Sequence, residues 1–279
     1  MKKLALLLAV MMLVLSVVGC GGAKAPASSA APANPAAPAG EATPAAPADG
    51  APVSPETTWD GVQLTAIVGP DPDTIDPALN TSVDGGTEIK HVFEGLYTLD
   101  ANGVPVPGQA EKVDVSADGL TYTFTLRDGL KWSDGTPLTS EDFVYSWQRA
   151  IDPKTASAYA YMFECIDGYK DGKLNLTAPD AKTFVAKLIA PTTYFLELTA
   201  FPTYMPIQKA TVEKNGEKWA LSAATYIGNG PYVMKEWVEG SHMLLEQNPN
   251  YWDVKSLGPK SIKFMLVDDD VAQLTAYKN

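Results

Sequence analysis

The run Lys131–Ala160, KWSDGTPLTSEDFVYSWQRAIDPKTASAYA, constrains the folding of this chain more than any other segment. Trp132 is followed by Ser133-Asp134-Gly135, a set of turn formers, and Pro137 stiffens the exit. Thr139 stands where a helix cap belongs, and Asp142, three residues on, supplies the acidic partner of a capping box. Phe143, Val144, Trp147 and Ile151 recur at helical spacing, which predicts one apolar face. Asp152-Pro153 stops the helix, because a proline pushes the preceding residue out of the α region. Physics makes this segment a well-specified piece of an α/β scaffold and assigns it no chemistry.

The same grammar extends along the body, which begins abruptly at Trp59. Val62–Val68 is β-rich and ends at Gly69-Pro70, and a loop of turn formers follows from Asp71 to Pro77. Thr87–Tyr97 places Ile89, Val92, Phe93 and Leu96 at helical spacing. Tyr122, Phe124 and Leu126 alternate with threonines, the signature of a half-buried strand, and Thr183–Leu188 repeats the pattern. A helix is expected near Lys209–Ala220, a hairpin turning at Glu239-Gly240, a strand at Ser261–Val267 and a helix opened by Asp268–Asp270. Strands interspersed with helices predict mixed α/β or α+β architecture.

Ahead of the body stands an address. Residues 1–20 have a basic start at Lys2-Lys3, an apolar run from Leu4 to Val18, and Cys20 at the end of LSVVGC. The run is short for a membrane span and has signal-peptide layout. Its ending resembles a bacterial lipobox, which implies lipid attachment at Cys20 after cleavage. Residues 21–58 are rich in Ala and Pro with almost no apolar bulk, so they are expected to form a disordered tether.

Composition removes some functions. A net charge of −12 argues against nucleic acid, whose phosphates need clustered Lys and Arg. The 12 tyrosines and 6 tryptophans suit a wet binding cleft as well as ordinary packing. With Cys20 lipidated, Cys165 is left as a buried free thiol. His91 falls in a helical pattern and His242 beside a turn, so each reads as structural or solvated. Asp71, Asp73 and Asp76 lack the glycine and distal glutamate of a calcium loop and read as turn and helix-entry residues. No metal-ligand, phosphate-loop or nucleophile-elbow motif occurs, so no metal, cofactor or catalytic residue is expected.

Spelling carries more than pattern. TIDPALNT at Thr74–Thr81, HVFEGLY at His91–Tyr97, the stretch Thr121–Tyr159, GNGPYVMKEW at Gly228–Trp237 and NPNYWD at Asn248–Asp253 occur in that order. Together they resemble the extracytoplasmic oligopeptide-binding proteins of bacterial peptide import systems, in the peptide/nickel-type solute-binding family. The resemblance runs from Trp59 to Asn279, and DFVYSWQR followed by DPKTAS is closest to the oligopeptide branch.

The resemblance implies a periplasmic-binding-protein-like two-lobed fold, with only the first lobe and its inserted subdomain present. Residues 59–93 and 219–279 would build the first lobe and 94–218 the insertion, with the second lobe beyond Asn279. It implies a monomeric receptor, lipid-anchored on the extracytoplasmic face, that captures oligopeptides and hands them to ABC permease subunits without enzyme chemistry. Matching the family's ligand-facing segment places the backbones of Thr81, Ser82 and Val83 along the peptide, and Tyr159 in the same cleft. Relatives can carry an acidic residue and a glycine at Thr81-Ser82, so side-chain selectivity there does not transfer. A dipeptide, a nickel chelate or a signalling peptide remain alternative ligands, and a truncated chain without function remains an alternative to all of them.

Overall fold

The computed structural model describes Trp59 and residues 61–278; Cys20, the expected signal peptide and the expected tether lie outside the described residues. In chain order the elements are β1 (Gln63–Val68), α1 (Val83–Val92), β2 (Tyr97–Leu99), β3 (Pro105–Pro107), β4 (Ala110–Val115), β5 (Thr121–Leu126) and α2 (Ser140–Ile151). Then come β6 (Leu176–Asp180), β7 (Thr183–Lys187), α3 (Phe195–Leu198), α4 (Lys209–Asn215), β8 (Tyr232–Val238), β9 (His242–Gln247), β10 (Ser261–Leu266) and α5 (Asp270–Lys278), with short 3-10 turns between.

Two four-stranded sheets organise them. One has the order β1-β10-β9-β8, with β1 parallel to β10 and the other pairs antiparallel. It joins the beginning of the described chain to its last third. The second, β4-β5-β7-β6, is antiparallel throughout and built from the intervening residues, while β2 and β3 form a ribbon of their own.

The alternation in Thr121–Leu126 sends Tyr122, Phe124 and Leu126 into the core, and β7 adds Phe184 and Ala186 opposite them. Helix α2 covers this face. Its Trp147 ring stands edge-on to Phe184 at 4.8 Å, and its indole N–H donates to the Tyr204 carbonyl at 2.7 Å. Thr139 caps α2, with the Asp142 carboxylate accepting from the Thr139 N–H at 2.8 Å, and Asp152 ends it.

Segments far apart in sequence interlock at the junction of the two sheets. Glu94 is buried, and one of its oxygens accepts from the Tyr251 hydroxyl at 2.6 Å. The other accepts from the Trp252 indole at 2.7 Å and the Gln109 amide at 2.6 Å. Asn229 bonds both backbone groups of Glu94. The turn after Trp132 docks on the same region, through Ser133 N–H to Gly228 O at 2.8 Å and Asn250 Nδ2 to Ser133 O at 3.1 Å. The family-like motifs thus spell one scaffold joint.

Several expectations need correction. Helix α1 starts four residues before and ends five residues before the expected Thr87–Tyr97: it spans Val83–Val92, and Phe93 is already extended at φ −123°. Phe93, in extended backbone, and Leu96, at a bend, are buried beyond the helix, and their spacing imitates a helical one. The helix near Lys209–Ala220 breaks at Gly216, whose φ of +57° suits glycine, and continues as a 3-10 turn. Asp76 does open the expected turn, accepting from the Ala78, Leu79 and Asn80 N–H groups, and in addition is a buried partner of Arg149. Cys165 is free but only half-buried, at the edge of the core.

Candidate ligand-binding site

Helix α1 starts where it does because Ser82 caps it: Ser82 Oγ accepts from the Gly85 N–H at 3.0 Å. Asn80 holds the cap from behind. Its Oδ1 accepts from the Ser82 hydroxyl at 3.1 Å and its Nδ2 donates to the Ser82 carbonyl at 2.9 Å. The same carbonyl accepts from Gly86 N–H, and the Ser82 N–H points to Asn80 Oδ1 at 3.4 Å. The backbone of Ser82 is therefore committed within the protein.

Thr81 and Val83 differ. Both are exposed, and their N–H groups have no hydrogen-bond partner among the described residues. An open N–H at the first turn of a helix is a ready donor. The Val83 side chain is 86% exposed, so a bare apolar surface sits beside that donor.

Tyr159 reaches the same place from the loop after α2. Its N–H donates to Ser157 Oγ at 3.3 Å, and its ring stands edge-on to Phe201 at 5.4 Å. Its hydroxyl has no partner among the described residues, and the side chain is half-buried. Thr81, Ser82, Val83 and Tyr159 line one recess of about 250 Å³ with Asn80, Thr87, Lys90, Phe201 and Pro202 among its other walls. Lys90 is the charged residue in that lining.

Such a surface offers backbone donors, an exposed valine, an aromatic ring with a free hydroxyl and one ammonium. It suits an extended chain that brings its own polar groups and a side chain of modest size. Asn80, Lys90 and Phe201 were not among the expected site residues. Lys90 lies seven residues beyond Val83, on the same helical face, a signal visible only once the helix start is known. Phe201 follows no periodic pattern.

The other candidates are absorbed by the fold. His91 donates from Nδ1 to the Thr87 carbonyl at 2.8 Å and packs against Phe264 at 5.1 Å; burial holds its pKa below the usual value. His242 lies 3.3 Å from Glu236 on the neighbouring strand. Asp71 accepts from the Trp237 indole at 2.9 Å, tying its loop to the β8–β9 hairpin. No group of His, Cys, Asp and Glu among the described residues is placed to hold a metal. Cys20 lies outside the described residues.

Residues 104–279 match the family model of the bacterial extracellular solute-binding proteins, family 5 middle. The chain belongs to that family. This family 5 protein is 42% identical over 218 residues to the oligopeptide-binding protein OppA of Bacillus subtilis, covering 75% of this chain and 40% of the relative. It is 34% identical over 207 residues to the dipeptide-binding protein DppE of the same organism, covering 71% of this chain and 38% of the relative. A solved structure of Listeria monocytogenes OppA bound to peptide superposes with a TM-score of 0.75 at 34% identity, over 77% of this chain and 44% of that one. The family 5 chain thus spans about 40% of the length of the curated relatives it matches. Its fold is the mixed α/β, periplasmic-binding-protein-like fold expected from its sequence, in partial form.

Proposed function

We propose that this protein is a lipid-anchored receptor that captures oligopeptides in extended form and delivers them to the permease subunits of an ABC importer. The observation that carries the reading is the convergence of Thr81–Val83 and Tyr159 on one recess. A peptide leaving water must satisfy its N–H and C=O groups, and strand-like pairing with main chain does so without reading side chains. The open N–H groups of Thr81 and Val83 serve that pairing, while the committed backbone of Ser82 holds the edge in shape. The Tyr159 ring flanks the ligand with its hydroxyl free.

In this reading residues 59–93 and 219–279 form the first lobe and 94–218 the inserted subdomain. The pairing of β1 with β10 supports that division. A second lobe closes over the peptide, and the receptor acts as a monomer by binding and release, with no covalent chemistry. The membrane is reached through lipid on Cys20, with residues 21–58 as a tether.

Mass spectrometry of ligand co-purified with the protein tests the assignment. Peptides of mixed sequence support it; a metal complex or a sugar with no peptide defeats it. The similarity to a dipeptide-binding protein favours a second reading, in which the same recess takes dipeptides. Calorimetric titration with peptides of two to six residues separates the two.

A further inference from the structure

Helix α1 has two working faces. Gly85, Glu88, Ile89 and Val92 are buried against the core. Val83, Gly86, Thr87 and Lys90 stand at i, i+3, i+4 and i+7, a single stripe that lines the recess described above. The stripe does not end there. Lys90 also lines a second recess of about 330 Å³, together with Phe93 and Glu94 just beyond the helix. The opposite wall is continuous in the same way, with Phe201 and Pro202 on the first recess and Ala200 and Met205 on the second. The two recesses are bays beside the same helix and share Lys90, which stands between them.

The second bay mixes apolar walls at Leu99, Pro231 and Leu257 with the polar groups of Thr98, Tyr251 and Ser256. Its acidic residue, Glu94, has both oxygens engaged by Tyr251, Trp252 and Gln109. The Lys90 ammonium has no ion-pair or hydrogen-bond partner among the described residues. It is therefore left for whatever lies in the two bays.

We propose that the second bay is a further side-chain pocket for the same ligand, and that Lys90 receives a ligand carboxylate between the two bays. The inference rests on the peptide-capture reading and adds a length and a charge to it. From Val83 to Phe93 the wall rises about 15 Å at helical spacing. An extended ligand advances about 3.3 Å per residue, so about five residues are needed to reach the second bay from Val83. Lys90 is met near the third. The carboxylate there is the C-terminus of a tripeptide, or an Asp or Glu side chain of a longer peptide.

Calorimetry on the purified protein tests both parts. One pair of ligands is trialanine as free acid and as C-terminal amide; a second is an amidated hexapeptide with Asp or Asn at its third residue and Leu at its fifth. In the wild type the acidic member of at least one pair binds about tenfold more tightly, and which pair shows it identifies the source of the carboxylate. Lys90→Glu abolishes or reverses that preference, and Lys90→Arg restores it. Leu99→Trp, which fills the second bay, weakens the Leu-bearing hexapeptide about tenfold more than the tripeptide. An acid-to-neutral ratio unmoved by Lys90→Glu, or a length ratio unmoved by Leu99→Trp, overturns the inference while leaving peptide capture intact. If the wild type binds neither tripeptide nor hexapeptide, peptide capture itself fails.

Discussion

Arg149 grips Asp76 with both ends of its guanidinium, Nη1 to Oδ1 at 3.0 Å and Nη2 to Oδ2 at 2.6 Å. The Trp219 indole and the Ala78 N–H donate to the same carboxylate, each at 2.9 Å. One buried charge thus ties the loop leading to Thr81, helix α2 and the turn before β8. Removing one partner of such a pair leaves the other uncompensated. Asp76→Ala is expected to cost about 3–5 kcal/mol. Arg149→Met should cost a similar amount, and the double variant less than the sum of the two. Urea unfolding of the set measures this; midpoints equal to wild type would remove the pair from the account of stability.

Glu88 produces the opposite pH behaviour from an exposed acid. It is fully buried and neither carboxyl oxygen has a hydrogen-bond partner among the described residues. Burial first, then the nearby charges of Asp84 and Asp71, push its pKa from the usual 4.5 to about 8. The native protein therefore keeps a proton that the unfolded chain releases. Its contribution to stability is complete below pH 4.5 and is lost as pH rises toward 8. The slope across that window is about 1.4 kcal/mol per pH unit at most. Glu88→Gln should flatten this dependence, and the variant should outlast the wild type in urea at pH 9. A wild-type profile flat from pH 5 to 8 would count against a protonated Glu88.

Tyr159 offers a ring and a free hydroxyl to the recess, and in the proposed binding mode the ring makes most of the contact with the peptide. Tyr159→Ala is expected to weaken peptide binding about tenfold, whereas Tyr159→Phe costs about threefold or less. Parallel melting curves separate this from a folding defect, since the side chain is only half-buried. Identical affinities for all three proteins would place Tyr159 outside the ligand's reach.

The proposed lipid attachment requires a thiol at residue 20. Cys20→Ala should move the protein from the membrane fraction to the soluble fraction, and labelled fatty acid should no longer be incorporated. Retention of the variant on membranes would point to a different means of attachment.

What could be read from the residues follows a physical rule: local signals were legible, long-range partnerships were not. The Thr139–Asp142 cap, the alternation of Tyr122, Phe124 and Leu126, and the turn at Gly240 each act within a few residues, and each stands as expected. Strand β4 was hidden because a bulge between Ala110 and Lys112 breaks its alternation. Strand β6 was hidden by Pro179 and a register shift, both tolerated beside a single neighbour. The start of α1 was masked by Gly85-Gly86, poor helix formers that are acceptable behind a strong cap. Asp76 reads locally as a turn residue, since Arg149 and Trp219 lie 73 and 143 positions away. Family resemblance names Thr81–Val83 and Tyr159, whereas Lys90 and Phe201 join them only in the folded chain.

The parallel pairing of β1 with β10 has a consequence in time. Gln63 and Ser261 face each other across that ladder and lie 198 positions apart. At a synthesis rate of about 5–20 residues per second, β1 exists for about 10–40 s before its neighbour is made. Through that interval Leu64 and an unpaired strand edge stay available to wrong partners. The sheet β4-β5-β7-β6, drawn from residues 110–187, closes over much shorter loops and can set first. Strand β1, the first among the described residues, is therefore among the last to find its place.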